Sequence, residues 1–475
     1  MDVRTRKTHF SGGFFRNGAL LVLALLLLLT PVFSACKAVP GKESREPSEK
    51  HEEKEVSWLI AAGPTGEIDT VHAMIRDYMA RASERYASGD FSESVKKEMR
   101  GAWPEAEATQ FSIEIRETEG VDPKACQYAI VLSETTDFIN PRTVAIDPDR
   151  RRSMRIGNFK TDAVYYWYVR AEAADGSAVR SAVSTFTTKP GPRLLVIPRV
   201  ENARDIGNWS QDAENGIPQG LIYRSGKLES GGMEAVDILV NELGIRTEID
   251  FRNSEEEFVT SFLPEDQVTI CVDSIGYYGC FIQEPARSVK SFRLLTRPDA
   301  YPVIFHCKAG ADRTGSFAFI LEALARRTAV ERAIDYELTG SRYVNADAES
   351  EAEGYDYELL LKAFAELPGK TDADKAKSFL AAAGLSPLEI QNLEALLLGH
   401  GAVLKDPSTV RYDASKKAVS IELDPRDAGK PTAVEVGGKA VPFTFENDVL
   451  TIPGLERGAG TVRFEDGSEL LLEWE

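Results

Sequence analysis

His306-Cys307-Lys308-Ala309-Gly310-Ala311-Asp312-Arg313-Thr314-Gly315 is the stretch on which the reading of the chain turns. The apolar run Val303-Ile304-Phe305 leads into it. Ser316-Phe317-Ala318-Phe319-Ile320-Leu321-Glu322-Ala323-Leu324 leads out, apolar on successive turns as a buried helix requires. The pattern predicts a strand, a tight Gly-containing turn and a helix N-terminus meeting at Cys307. Backbone N–H groups at a helix start lack intrahelical acceptors and converge on an anion, and the helix dipole adds positive potential. The same field favours a thiolate over a thiol, which makes Cys307 nucleophilic near neutral pH. Arg313 offers a planar, permanently charged fork suited to two oxygens of a phosphate. Thr314 is placed to donate its hydroxyl to the sulfur. Residues Lys308, Ala309, Gly310, Ala311, Asp312, Arg313 and Thr314 together read as a phosphate cradle with a built-in nucleophile.

The string His-Cys-x-Ala-Gly-x-x-Arg-Thr-Gly between a strand and a helix resembles the signature loop of cysteine-based protein tyrosine phosphatases. The Asp directly before Arg313 is similar to the bacterial tyrosine/serine phosphatase group of that superfamily. A second match lies upstream. Asn202-Ala203-Arg204-Asp205-Ile206-Gly207, followed by Leu221-Ile222-Tyr223-Arg224-Ser225-Gly226-Lys227-Leu228, resembles the opening of the same group. The resemblance implies two-step hydrolysis of a phosphorylated protein or small phosphomonoester through a phosphocysteine on Cys307, with no metal and no cofactor. It also implies that His306 shapes the loop rather than reacting.

Such chemistry needs a proton donor for the leaving oxygen and then a base for water. Three aspartates compete for this role. Asp312 lies inside the loop and ranks first. Asp273, just past the strand Val268–Val272, ranks second, and Asp250, which ends the strand before Phe251-Arg252, ranks third. Lys308 and Arg252 are candidates for added positive charge at the rim. Ala311 stands where the bacterial group carries Lys, which matters for a rival substrate class. A related phytase group shares the His-Cys-x-x-Gly-x-x-Arg-Thr core, so inositol phosphates or phosphoinositides stay open as substrates. From other classes come a surface binding protein with an inactive phosphatase-like domain, and a sulfur transferase.

The 475 residues suffice for two to four domains, and a net charge of -19 excludes the basic footprint that nucleic acid demands. Five histidines, two of them His9 and His51 near the start, argue against a multi-histidine metal site. Arg4, Arg6, Lys7 and Arg16 precede an apolar stretch from Gly18 to Leu29, as in a signal peptide. Its end, Phe33-Ser34-Ala35-Cys36, resembles a bacterial lipobox, which implies lipidation of Cys36 and anchorage in the cell envelope. An uncleaved anchor or ordinary signal-peptide removal are the alternatives, and each exports the protein.

Along the chain, residues 1–36 read as this leader and 37–56 as a charged tether. Residues 57–190 alternate in strand fashion, with a helical insert from Thr70 to Tyr86 and a late hairpin from Tyr165 to Phe186, and resemble a fibronectin type III-like β-sandwich. Residues 194–402 are the expected α/β phosphatase domain, a central, mostly parallel sheet with flanking helices and the cysteine loop at a strand's C-terminal edge. Residues 405–475 read as a small β-rich domain. Either β-domain could serve a protein partner. Cys271 and Cys280 read either as a disulfide pair, as a resolving thiol for Cys307, or as two unreactive buried thiols.

Overall fold

A computed structural model describes residues 53–91, 108–116, 125–146, 153–210, 215–229, 231–252, 261–339, 356–407, 410–413, 415, 417–454 and 458–474. The expectations for the leader, for Cys36 and for the tether before Glu53 lie outside the described residues. Among the described residues, no helix is long and apolar enough to cross a membrane.

The centre of the molecule is a five-stranded sheet in the order Arg204–Asp205, Ile222–Ser225, Val303–His306, Thr247–Asp250, Thr269–Val272. The first strand runs antiparallel to its neighbour and the other pairings are parallel. Val303–His306 is buried along its whole length, as expected of a parallel strand covered on both faces. Alternation splits its side chains between the two faces. Val303 and Phe305 join one apolar core, while Ile304 joins another with Tyr223, Ala235 and Leu239.

The helix after the loop, Asp312–Leu324, is buried at every residue from Thr314 onward. A helix apolar all round can only sit inside a core. Phe317 fixes it there: its ring stacks on Phe292 at 4.3 Å and meets Phe251 at 4.8 Å and Phe305 at 5.1 Å. These contacts tie the helix to two adjacent strand ends, so the loop between strand and helix has both anchors immobilised. Further along, Ser386 caps Pro387–Leu398 in a reciprocal box with Glu389, with Pro at the first helical position, as its sequence indicates.

Upstream, Leu59–Ala62, Thr109–Ile115 and Ser153–Ile156 form one sheet. A second is built around Val164–Glu172, which pairs with Gln127–Ser133, Ala178–Arg180 and Ser184–Thr188. The two sheets share one core, where Phe111 of the first meets Trp167 of the second edge-on at 4.9 Å. The helix predicted in this segment spans Ala73–Tyr86, but it does not belong to that core. Its buried stripe, Ile75, Tyr78, Ala82 and Tyr86, packs with the helix Ala329–Leu338 in the core of the central sheet, and Tyr78 donates a hydrogen bond to Glu337 at 2.8 Å. The facing sheets cover each other with a core of their own, and the stripe is buried beyond them.

The junction is closed by buried polar contacts. Arg193 pairs with Asp205 at 3.0 Å and donates to the Asn158 carbonyl, while Gln219 and Thr161 bond reciprocally at 2.9 Å. After Leu398, strands from Val403 to Trp474 form two further sheets over their own core, into which Leu388 reaches from the preceding helix. The turns at Gly437-Gly438 and Gly467 have positive φ at each glycine.

Candidate active site

The loop starts where the central strand ends. His306 lies between Ser225 and Asp250 of the neighbouring strands, and Cys307 follows, 3% exposed. Gly310 has φ +72, and a Cβ there would sit 2.5 Å from the Ser225 carbonyl oxygen. The turn therefore accepts only glycine.

What orients the loop lies behind it. Asn202 Nδ2 donates to the carbonyls of Ala309 at 3.1 Å and Gly310 at 3.0 Å, and Arg224 Nη2 donates to Gly310 at 2.9 Å. Because each peptide unit is planar and trans, turning these carbonyls outward turns the N–H groups that share their planes toward the opposite side. The interior of the loop becomes a concavity of donors facing the start of the Asp312–Leu324 helix, a geometry that binds anions.

Arg224 and Asn202 are themselves held. Asp335, from the helix Ala329–Leu338, accepts from Arg224 Nη1 at 2.5 Å and from Arg204 Nε at 2.8 Å, and Arg204 Nη1 donates to Asn202 Oδ1 at 2.5 Å. All four side chains are buried. Burial opposes the charge on Asp335, but Arg204 and Arg224 outweigh it and hold its carboxyl well below the usual carboxylate range. Burial, and then the like charge of Arg224, lower Arg204 to about 10, which leaves it protonated at neutral pH.

The predicted cradle residues divide by what they touch. Arg313 spends one N–H on the Phe251 carbonyl at 3.0 Å, which directs the guanidinium from below. Lys308 is exposed at the rim. Thr314, expected to donate to the sulfur, makes no such bond: its hydroxyl is buried without a hydrogen-bond partner. An unmatched buried hydroxyl costs free energy.

The three aspartates are distinguished by their partners. Asp312 opens the helix and accepts a hydrogen bond from the Tyr278 hydroxyl. Asp273 is occupied elsewhere, accepting from Ser291 N at 3.0 Å and Ser291 Oγ at 2.6 Å. Asp250 is bound by Arg252 through Nε at 3.0 Å and Nη2 at 2.7 Å. Burial would raise its pKa, but Arg252 and His306 prevail and lower it, so Asp250 stays ionised and has no proton to give. Arg252 is not a rim cation. It is 3% exposed and also bonds Glu229, so its charge is consumed inside.

His306 Nε2 meets Glu248 Oε1 at 2.9 Å, and its Nδ1 lies 3.8 Å from Asp250. Burial works against protonation, yet Glu248 and Asp250 raise the His306 pKa above its ordinary value. Glu248, Asp250 and His306 have the donor types of a cation site, with ligand atoms within 4.8 Å of one another. Each is already engaged by the imidazole or by Arg252, so the trio acts as an ion-paired brace under the loop.

Of the readings open for Cys271 and Cys280, the disulfide does not form: both are free thiols. Cys271 is buried in the core and Cys280 is exposed, and burial pushes the Cys271 thiol up. A cleft of about 410 Å³ lies on the junction between the facing sheets and the central sheet, lined by Arg142, Lys160, Arg193 and Glu242. No residue of the nucleophile loop borders it.

Reading the sequence for chemistry overlooked Asp335, Glu248 and Tyr278, and gave Asn202 and Arg224 no role beyond a motif. Asp335 carried a signal, because it stands beside Ile334 on the face of an amphipathic helix that must be buried. The pair Tyr277-Tyr278 between Gly276 and Gly279 carried another.

With this geometry in view, comparison with known proteins is informative. Residues 195–399 match the model of the tyrosine phosphatase family, so the chain carries a tyrosine-phosphatase-family domain. A protein of Cupriavidus necator, provisionally named a tyrosine-protein phosphatase, is 25% identical over 186 residues, which cover 33% of this chain and 67% of that protein. Among solved structures, the core catalytic domain of the PP-IP phosphatase SIW14 from S. cerevisiae in complex with citrate is 14% identical, with a TM-score of 0.22, covering 35% of this chain and 94% of that one. A second structure of the Siw14 catalytic core is 13% identical, with a TM-score of 0.24, covering 41% and 96%. Overlaps this slight carry no information on substrate.

Two predictions follow from the buried charges. Asp335→Ala strands two arginines and should cost about 3–5 kcal/mol in urea denaturation. His306 has a raised pKa in the folded state, so its contribution is fully present below its ordinary 6.5 and is lost as pH rises through the raised value. The stability advantage of wild type over His306→Gln, read from urea midpoints, should therefore shrink as pH rises above about 6.5.

Proposed function

We propose that the domain hydrolyses phosphomonoesters through a phosphocysteine on Cys307, with phosphotyrosine-bearing proteins as its substrate class. The observation that carries this reading is the loop itself. A buried thiol lies at the base of a ring of peptide groups whose carbonyls are bonded outward by Asn202 and Arg224, with Arg313 at its far end.

In the first step the Cys307 thiolate forms the S–P bond while the ester P–O bond breaks, and the carboxyl of Asp312 gives its proton to the leaving oxygen. In the second step a water oxygen bonds to phosphorus, the S–P bond breaks, and the water's proton returns to the Asp312 carboxylate. The loop N–H groups and Arg313 stabilise the equatorial oxygens in both steps, an electrostatic contribution aimed where charge is concentrated.

The rim favours an aromatic ester over a highly phosphorylated ring. Tyr277 is half exposed and its ring lies 5.1 Å from that of Tyr278, whose hydroxyl bonds Asp312. It offers an apolar face to a phenyl ring. On the loop, Ala311 adds no cation beside Lys308 and Arg313.

We propose likewise that the chain is exported and attached to the bacterial envelope by lipid on Cys36, on the strength of its leader. The two facing sheets are assigned as a fibronectin type III-like module, and with the C-terminal sheets they are candidate surfaces for a protein partner.

The test is hydrolysis of p-nitrophenyl phosphate. Wild type should turn it over, vanadate should inhibit it, and a chelator should not. Cys307→Ser should abolish turnover, and activity that survives this substitution would refute the mechanism.

A further inference from the structure

We infer that Tyr278 is a positioning residue for the proton transfer, fixing which oxygen of Asp312 faces the leaving group. The inference rests on the hydrolysis proposed above and extends it to a residue outside the loop.

The contacts form a closed ring. The Tyr278 hydroxyl donates to Asp312 Oδ1, the Tyr278 backbone N–H donates to Ser316 Oγ at 2.9 Å, and Ser316 Oγ donates to the Asp312 carbonyl at 2.8 Å. Tyr278 is thus tied to the first turn of the Asp312–Leu324 helix at both its main chain and its side chain. Its backbone has φ +50, a left-handed conformation unfavourable for a bulky residue. Such a conformation persists where the surroundings over-determine it, and it recurs at functional sites. Gly276 packs closely against the segment that follows Tyr278, because a Cβ there would lie 3.1 Å from Phe281 N.

The chemical consequence concerns the two carboxyl oxygens. A phenol donating to Oδ1 occupies that oxygen as acceptor, so the transferable proton resides on Oδ2. Rotation of the carboxyl group would break the bond to Tyr278. The general acid is therefore presented in one orientation when the ester bond breaks. The segment carrying Tyr278 follows the strand Thr269–Val272, so the residue that aims the acid arrives from the edge of the sheet, whereas Asp312 comes from its centre.

A residue that aims a proton matters in proportion to how much the leaving group needs one. Tyr278→Phe keeps the ring and loses only the hydroxyl. It should be assayed by phosphate release on p-nitrophenyl phosphate, phenyl phosphate and an alkyl phosphate, with melting temperatures measured alongside. We expect kcat on p-nitrophenyl phosphate, whose leaving group departs unprotonated, to stay within about 3-fold of wild type, while kcat on the other two falls roughly 10- to 100-fold with KM little changed. In an Asp312→Asn background the same substitution should add nothing. An equal loss on all three substrates, no loss on any, or an undiminished loss in the Asp312→Asn background would overturn the role of Tyr278 while leaving phosphocysteine hydrolysis intact. Absence of wild-type turnover on every substrate would instead remove the hydrolysis itself, and this role with it.

Discussion

Two arginines share one buried aspartate behind the nucleophile loop, and the rest of the site depends on that arrangement. Arg204 and Arg224 reach Asp335 from two adjacent strands; Arg224, and Asn202 held by Arg204, bond the loop carbonyls outward. Buried ion clusters of this kind are poor sources of stability, because desolvation consumes most of the Coulomb gain. Their value here is orientation. The five-residue connection Cys307–Ala311 could present either its donors or its acceptors to a ligand, and the outer arginine and amide leave one choice. Asp335 offsets one of the two positive charges they bring, so the brace adds a net positive charge behind the loop to the field of the peptide dipoles, the helix start and Arg313.

The same logic runs through the surroundings of the loop. Beneath it, Glu248, Asp250, His306 and Arg252 form a second buried set in which each charge has an opposite neighbour. Above the helix, the stripe of Ala73–Tyr86 covers Ala329–Leu338, the element that supplies Asp335. The segment carrying the two facing sheets thus contributes to the core that holds the loop. This gives those sheets a mechanical connection to the site in addition to any partner they bind. It also explains why their junction with the central sheet is filled by paired polar groups such as Arg193–Asp205 and Gln219–Thr161.

Much of this could be read in the amino-acid sequence, and for definite reasons. Strand, turn and helix around Cys307 were legible because apolar runs and a glycine fix them locally. Ser386-Pro387 and the late hairpin were legible through capping and turn chemistry. The destination of the Ala73–Tyr86 helix was hidden, since periodicity shows that a face is buried but not against what. The choice among Asp312, Asp273 and Asp250 was hidden for a related reason. It depends on partners, Tyr278, Ser291 and Arg252, of which only Arg252 is near in sequence. The state of Cys271 and Cys280 stayed open because a sequence gives spacing without direction, and the fold turns one inward and leaves the other exposed.

The central claim is that the loop holds a phosphoryl group on sulfur. Rapid acid quench of the protein during turnover of an aryl phosphate, followed by phosphorus NMR and mass spectrometry of its peptides, addresses it directly. The account predicts a thiophosphate signal and added phosphate on the peptide bearing Cys307, more abundant in Asp312→Asn, where the water step is slowed. Turnover without phosphate on that peptide, or with phosphate on another residue, would contradict it.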